Sequence, residues 1–449
     1  MGEYKDLAHF IQFRKVDILE MILSDGGLKT YEDRENFRRL AEILESHLHF
    51  DFHRKLEILK NNYYPMNPDV DRLRRFTTEE IRQAGDRVTS TLVDVLTNAN
   101  YREIERSEIE SATPMDVHIP EHLFEQVRFF FRGCHRERDR TRKLFDRKKR
   151  PLEYTVLDRV VLIVRFKPHG AVSAKDRDCV AFEPGTTIIK LFKNVPEKHL
   201  KMLLPNCAPA MSLRDLLFLV LPAVVAGIPL LITQILPTLS VILLVGGAYL
   251  GLMGTLQQDS LKQAVGALTV APVVFGFCLQ HWLRYQNKCF KFQKELTEYL
   301  YFRNLVNSDG VFHSLVDSAE EEECKQMLLA YYFLLTSERE HDRESLDDAI
   351  EEWFESTHDY ELDFDVSSAL DRLEMMGLVH LDRNGMLTVP SLPEAMRLVD
   401  ELWDNIFPYN TGDGGRDHSE QIHSVEAFGN HAFPRFRSKS RFFNALFTG

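Results

Sequence analysis

Three neighbouring histidines, His47, His49 and His53, come nearest in this sequence to the spacing of a metal site. His49 and His53 are four residues apart, so a helix would place both imidazoles on one face, where two ring nitrogens can bind one metal ion. No HExxH pattern is present, and Asp51 falls on a different helical face. We therefore predict structural or surface histidines and no metal site.

Two carboxylates also lie close together in the segment Asn67-Pro68-Asp69-Val70-Asp71, but the other ligands of a calcium loop are missing, which favours a simple turn. The sequence has no GxxxxGK[ST], GxGxxG or GxSxG motif. Its six cysteines form no CxxC pair, which favours a reducing compartment. We predict no catalytic residue and no cofactor, and a non-enzymatic protein is favoured although an enzyme stays open.

A strongly basic stretch, residues 128–150, carries eleven Lys and Arg against three acids. It is either the solvated outer face of a β-hairpin or a surface attracted to anionic lipid head groups. No aromatic or motif pattern supports nucleic-acid binding, so none is predicted. The candidate membrane-surface residues are Arg136, Arg138, Arg140, Arg142, Lys143, Arg147, Lys148, Lys149 and Arg150.

A strongly acidic stretch, residues 320–404, has 24 Asp and Glu against 6 Lys and Arg, a net charge of −18, while the whole chain carries −13. Its pattern is three helices, a β-hairpin turning at Asn384-Gly385, and a closing helix, which is the winged-helix order. This charge would repel a phosphate backbone. We expect this region to bind an unknown protein partner, or to be purely structural.

The elements that must position these residues differ along the chain. Apolar residues at helical spacing predict a helix over 32–62, and Thr77 with Glu80 forms a capping box that opens a second helix. Alternating and β-branched runs over 126–195 predict an antiparallel sheet of three or four strands. A further helix is expected over roughly 285–306, followed by a loop at 307–310.

Two uncharged runs lie between the sheet and the acidic stretch. The first covers 43 residues, Leu216–Gln258, and the second covers the 21 residues between Lys262 and Arg284. Either run is long enough to cross a bilayer as a helix. Basic residues flank both outer ends, so the positive-inside rule favours an even number of crossings and a two-span hairpin, with three spans as the alternative.

The predicted fold class is an α+β membrane protein with N-terminal helices, a small antiparallel β region, a transmembrane helical hairpin and a C-terminal winged-helix-like domain. Acids within residues 1–30 predict neither a cleavable signal peptide nor a mitochondrial presequence. The predicted regions are N-terminal helices (1–110), a β-rich region with the basic patch (120–205), the transmembrane hairpin (213–284), a post-membrane helix (285–318), an acidic winged-helix-like domain (320–407) and a disordered tail (408–449).

Several stretches resemble one known family. They are Phe10-Ile11-Gln12-Phe13-Arg14-Lys15 with Asp17, His49-Phe50-Asp51-Phe52-His53-Arg54, Ile189-Lys190-Leu191-Phe192-Lys193-Asn194-Val195-Pro196 continuing to Leu203-Leu204-Pro205, Tyr301-Phe302-Arg303-Asn304-Leu305, and Trp403-Asp404. Together they resemble the transmembrane protein 143-like family, whose shared region is a domain of unknown function. The resemblance spans residues 8–410. It implies an integral membrane protein with about two spans and, in animals, a mitochondrial location as one option. It implies no activity and supplies no catalytic residues.

The sequence therefore leads to one main hypothesis, a multi-pass membrane protein that acts as a non-enzymatic, membrane-anchored adaptor or scaffold. Its expected partners are membrane lipids and an unknown protein bound by the acidic region, with no nucleic acid, and the oligomeric state stays open. Two rival hypotheses are a membrane-associated enzyme acting on a lipid or peptide, and a small-solute pore built by oligomers.

Overall fold

The computed structural model describes residues 9–72, 74–112, 117–118, 121–138, 153–168, 183–205, 208–209 and 301–407, with single positions between 250 and 297. Several predictions fall outside these residues. They concern the basic residues Arg140, Arg142, Lys143, Arg147, Lys148, Lys149 and Arg150, the region 213–284 apart from single positions, and the region 408–449.

Helices form where capping residues and apolar spacing favour them. The described helices are α1 (Lys15–Ser24), α2 (Tyr31–Tyr63), α3 (Thr78–Asn98), α4 (Arg106–Ala112), α5 (Asp309–Thr336), α6 (Arg343–His358), α7 (Ser367–Met375) and α8 (Leu392–Asp404). Helix α3 begins at the predicted capping box, in which the Thr77 hydroxyl accepts a bond from the amide of Glu80 at 3.2 Å. The Glu80 carboxylate accepts one in return from the Thr77 amide at 2.7 Å, so two amides at the helix start are satisfied.

A five-stranded antiparallel sheet follows the N-terminal helices. The described strands are β1 (Arg102–Glu103), β2 (Val117–His118), β3 (Phe124–Arg138), β4 (Glu153–Phe166), β5 (Thr187–Pro196), β6 (Ala208–Pro209), β7 (Asn304–Asn307), β8 (His380–Leu381) and β9 (Leu387–Thr388). The sheet order is β1-β3-β4-β5-β7, while β2-β6 and β8-β9 form separate pairs. The fold is therefore α+β with an antiparallel sheet, as the sequence predicts.

Both faces of this sheet are covered. One face belongs to an apolar cluster that includes Phe129, Val160 and Phe192. The opposite face meets the helices, because the Tyr63 hydroxyl of α2 donates to the carbonyl of Thr187 at 2.8 Å. Also on that face, Arg165 of β4 reaches α3 and forms an ion pair with Asp86 at 3.0 Å. Burial on both faces explains why the central strands contain continuous apolar runs in place of a strict alternation.

Helix α5 is the centre of the molecule. Helices α1, α2, α3, α6 and α7 all contact it, and every residue from Glu322 to Tyr332 is buried. Its first half packs on α2, where the Tyr63 ring meets the Phe312 ring edge-on with centroids 5.2 Å apart. The stretch from Glu322 to Tyr332 therefore has no solvent face, so its charged residues need partners inside the protein.

The start of α5 differs from the sequence prediction. Residues 304–307 form strand β7, which extends the sheet beyond β5, where a helix is predicted to continue through 306. Ser308 then turns the chain into α5 with a left-handed φ of +51°, and its hydroxyl donates to Asp69. Gly310 permits this tight junction, because a Cβ atom there would lie 2.4 Å from the side chain of Val306.

Beyond α5 the chain forms α6, α7, the β8-β9 hairpin and the start of α8. The hairpin closes at Asn384-Gly385, where the Gly385 amide donates to the Asp382 carbonyl at 2.9 Å and Gly385 has a φ of +82°. The chain divides into two compact units, 1–399 and 400–449. Of the second unit, the described residues 400–407 complete α8 and the short stretch after it.

The predicted membrane topology requires correction. No helix among the described residues is both long and apolar enough to cross a bilayer. The two longest of them, α2 and α5, have 33 and 28 residues. Charged side chains occur throughout α2 and up to Lys325 in α5, and these would have to be desolvated in hydrocarbon. This finding goes against the membrane fold class and the multi-pass membrane location predicted from the sequence. Residues 213–284, on which the predicted transmembrane hairpin falls, lie outside the described part of the chain apart from single positions.

Candidate functional site

The predicted basic patch is described only at its beginning. Arg136 is exposed on β3 and stands opposite Thr155 in the register of the β3-β4 hairpin. Arg138 is the last residue of β3 and stands opposite Glu153. The long hairpin thus carries the first two basic residues of the patch outward from the sheet core, and the remaining seven lie outside the described residues.

The three histidines of α2 are brought near carboxylates but do not form a metal centre. The Nδ1 atom of His49 lies 3.0 Å from Glu320, and its ring lies parallel to that of His53 with centroids 6.3 Å apart. His47 lies 4.0 Å from Asp51, and burial lowers the pKa of His47. Throughout the described part of the chain, no group of three or more His, Cys, Asp or Glu side chains is placed to bind a metal ion.

The Asn67–Asp71 segment is tied to the start of α5. The Asn67 side chain accepts a bond from the Asp69 amide at 2.9 Å and donates to Asp309 at 3.2 Å. Asp69 accepts the bond from the Ser308 hydroxyl described above. Burial, together with the nearby charge of Asp69, raises the pKa of Asp309. These contacts are those of a turn that fixes a helix start, as the sequence predicts.

Two buried charged residues of α5, Glu322 and Lys325, form the most unusual constellation in the protein. Glu322 accepts a bond from the amide of Ile11 at 2.8 Å, and Lys325 donates to the carbonyls of Ile11 at 2.7 Å and Phe13 at 3.1 Å. The two side chains also pair with each other at 2.9 Å, and they are only 2% and 5% exposed. We call this pair the main-chain clamp, because its bonds to residues 11 and 13 go to backbone atoms. Glu322 also accepts a bond from the Asn100 side chain at 3.3 Å.

The clamp holds the N-terminal segment, residues 9–14, against α5. Ile11 is only 2% exposed, and the ring of Phe13 lies among three other rings. Those rings are Phe354 at 6.1 Å, Tyr360 at 5.2 Å and His358 at 6.3 Å between centroids. The segment is therefore bound by backbone hydrogen bonds at its centre and by apolar and aromatic contacts of two side chains.

A second buried ionic group is built on the next residue of α5, Glu323. Arg372 of α7 pairs with Glu323 of α5 and with Asp51 of α2, the latter at 3.0 Å. Asn98, the last residue of α3, donates a further bond to Glu323 at 3.2 Å. One guanidinium thus joins three helices, which the bidentate geometry of arginine suits better than lysine does.

Cys324 follows Glu323 on α5, and its thiol is not suited to act as a nucleophile. Its side chain is buried, and burial raises the pKa of its thiol to about 12. A cysteine must be a thiolate to attack a substrate or bind a metal ion. At neutral pH Cys324 is a protonated, apolar-like core residue.

An acidic face covers α6 and the segment after it. In residues 361–366, apolar side chains are buried and acidic ones exposed at alternate positions. The backbone of this segment is fixed to α6, because the amides of Phe364 and Val366 donate to Glu351 at 2.8 Å and to Asp347 at 3.2 Å. The acidic face comprises Asp347, Asp348, Glu351, Glu352 and Glu355 of α6 with Glu361, Asp363 and Asp365.

The carboxylates of this face perturb one another. Burial is the largest cause that raises the pKa of Asp347 to about 7, and the charges of Glu351, Asp365 and Asp363 contribute in the same direction. The neighbouring carboxylates therefore add to the effect of burial, although Asp363 itself lies 3.0 Å from the His9 ring nitrogen.

Sequence patterns do not single out the clamp. The run of four glutamates at 320–323 looks like solvated charge, and it contributes to the predicted acidic surface. The available signal is that an uncharged run, residues 326–337, follows directly on the same helix. A helix that is apolar on every side must be enclosed, so charges continuing into it must also be buried.

The fold and the clamp define an α+β protein whose central helix holds an extended segment of its own chain. Residues 157–310 match the family model described as "Protein of unknown function (DUF3754)". The matched range runs from β4 to the first residues of α5 and includes neither the clamp nor the acidic face. No solved structure matches the chain.

Proposed function

We propose that the protein is a non-enzymatic adaptor that docks a Lys- or Arg-rich segment of a partner protein on the acidic face. The carrying observation is the arrangement of carboxylates in two adjacent rows, one on α6 and one on residues 361–365, joined by the bonds from Phe364 and Val366. An extended chain with a cation at every second residue matches the spacing of the acidic residues in the row 361–365, which also occupy every second position. Such a partner would relieve the repulsion that raises the pKa of Asp347.

The test uses a fluorescein-labelled peptide in which Lys alternates with Ser, with a Gln-Ser peptide as the uncharged probe. We expect binding of the Lys peptide to weaken about tenfold in Asp348→Asn/Glu352→Gln/Glu355→Gln, since each exposed charge contributes roughly 0.3–0.5 kcal/mol. Fluorescence anisotropy at two salt concentrations measures this loss, and salt should weaken binding to the unaltered protein.

A matched control removes the same charge elsewhere. Glu20, Glu42 and Asp317 are exposed acids on α1, α2 and α5, and Glu20→Gln/Glu42→Gln/Asp317→Asn gives the same net charge. This control should bind the Lys peptide as the unaltered protein does. Equal losses in both triple variants would attribute binding to net charge and contradict a defined docking face.

Asp347 also predicts a pH dependence of stability. Its ordinary pKa of 3.8 rises to about 7 in the folded protein, so the folded state keeps a proton that the unfolded state releases. The contribution of Asp347 to stability is therefore most favourable below about pH 4 and declines as pH rises through about 7. We expect Asp347→Asn to raise the free energy of unfolding at pH 8 by about 1–2 kcal/mol, after allowing for solvent screening, with little change at pH 4.

Urea unfolding of both proteins at the two pH values measures this difference. Asp348→Asn is the control, because it removes an exposed carboxylate from the next position of the same helix. A gain at pH 8 that is as large in Asp348→Asn would assign the effect to general repulsion among the acids.

We also propose that the chain is related to the transmembrane protein 143-like family. The match of residues 157–310 supports a shared domain of unknown function, and it contains both Ile189–Pro196 and Tyr301–Leu305. The proposal concerns ancestry only. Aligned members of that family should keep the strand β5 motif together with a Glu and a Lys at the positions of Glu322 and Lys325, and their absence there would contradict it.

A further inference from the structure

The contacts of the N-terminal segment are those of a bound peptide. Both backbone groups of Ile11 and the carbonyl of Phe13 bond to the clamp. The Tyr360 hydroxyl adds a longer bond to the carbonyl of Phe10 at 3.4 Å. Backbone bonds supply affinity for any extended chain, while pockets for alternate side chains supply specificity. Here the side chains of residues 11 and 13 provide that specificity.

Holding a segment permanently with a buried ion pair is energetically less favourable than holding it with apolar contacts. Removing two charges from water is unfavourable, and a buried ion pair contributes little more stability than apolar residues of the same size. In this pair, the three protons of the Lys325 ammonium are used by two backbone carbonyls and by Glu322. Full satisfaction of the ammonium depends on an extended backbone in the groove, so the groove is built around a peptide.

We propose that the groove along α5, lined by the clamp and by the Phe13 pocket of Phe354, His358 and Tyr360, is a peptide-recognition site that the chain's own residues 9–14 occupy in cis. The partner that fits it is a protein presenting an extended segment with an aliphatic residue followed two positions later by an aromatic one, as in Ile11-Gln12-Phe13. Binding of that partner displaces the N-terminal segment. This proposal does not depend on the acidic face.

Occupancy in cis sets how the site responds to a peptide in solution. A tethered segment acts at an effective concentration of about millimolar, so a free peptide of the same sequence competes poorly at micromolar concentration. Weakening the tethered copy should therefore uncover binding that the unaltered chain conceals.

The experiment uses the full chain with Ile11→Ser/Phe13→Ser, which removes both side-chain contacts of the segment, and a fluorescein-labelled peptide of residues 9–16. We expect this variant to bind the peptide at least tenfold more tightly than the unaltered chain does. A peptide methylated on the Ile11 nitrogen is the control, because it lacks the donor to Glu322 and carries a methyl group in its place. It should bind at least tenfold more weakly than the unmethylated peptide.

Three outcomes overturn the proposal. They are a folded variant that does not bind the peptide, equal binding of the methylated and unmethylated peptides, and a dimer of the unaltered chain that Ile11→Ser/Phe13→Ser abolishes. The last outcome would assign the groove to a second copy of the chain. Circular dichroism establishes whether the variant is folded.

Hydrogen exchange on the unaltered chain decides the matter if that variant does not fold. A displaceable segment opens locally, so the amides of residues 11–13 should exchange faster than those of residues 327–332 in α5. The exchange rate of residues 11–13 should also not change at low urea concentrations. Exchange of both sets at one rate, set by global unfolding, would show a permanently fixed segment and overturn the proposal.

Discussion

Replacing Lys325 by Met should lower the free energy of unfolding by about 3–5 kcal/mol, the largest loss we expect from a single charged residue. The substitution leaves the Glu322 carboxylate buried without its ammonium partner, and it leaves the carbonyls of Ile11 and Phe13 without their donor. An unpaired buried charge costs more free energy than the pair contributes. Most of the expected loss therefore comes from the Glu322 carboxylate, which stays buried without its partner.

A second substitution separates this effect from a loss of packing. In Glu322→Gln/Lys325→Met the buried charge is gone, but the amide oxygen can still accept the bond from the Ile11 amide. Urea unfolding should therefore show the double variant to be more stable than Lys325→Met alone. Lys55→Met is the surface control, because the Asp94 partner of Lys55 is 58% exposed, and it should cost at most about 1 kcal/mol. A double variant whose loss of stability equals the sum of the losses in Glu322→Gln alone and Lys325→Met alone would contradict this account.

Arg372→Met should have the second largest effect, a loss of about 3 kcal/mol. The guanidinium compensates Glu323, which is only 4% exposed, and it bonds Asp51 at the same time. Its removal takes away the ion pairs that join α7 to α5 and α2. The measurement is again urea unfolding, with hydrogen exchange of α7 as a local probe.

The chain offers a closely matched control for this prediction. Arg343 of α6 also bonds α7, through Asp371 at 2.6 Å, but the two side chains are 41% and 61% exposed. Arg343→Met should change the free energy of unfolding by less than about 1 kcal/mol. Similar losses in the two variants would mean that the burial of Glu323 does not set the cost.

Local chemistry made several elements predictable. The Thr77 and Glu80 side chains make both bonds of the capping box, and the predicted helix over 32–62 differs by one residue at each end from α2. Asn384-Gly385 closes the hairpin as the sequence predicts. Each of these features is decided by residues within a few positions of one another, which is the range over which sequence patterns are informative.

Features that depend on distant neighbours were not predictable. Leu305 and Val306 fit a helix equally well, and only the unpaired edge of β5 makes them a strand. The burial of Glu322 depends on Ile11, which lies 311 positions earlier in the chain. The membrane prediction rested on two uncharged runs that lie outside the described residues apart from single positions, and no helix in the described part of the chain could span a bilayer.

The clamp has a consequence for how the protein is made. Residues 11–13 leave the ribosome early, but Glu322 and Lys325 are synthesised more than 300 positions later. At about 5–20 residues per second, the segment waits roughly 15–60 s for its groove. During that time Ile11 and Phe13 are exposed on a nascent chain, where they resemble the apolar segments that chaperones retain. Helix α5 is thus synthesised only after α1, α2 and α3, which pack against it.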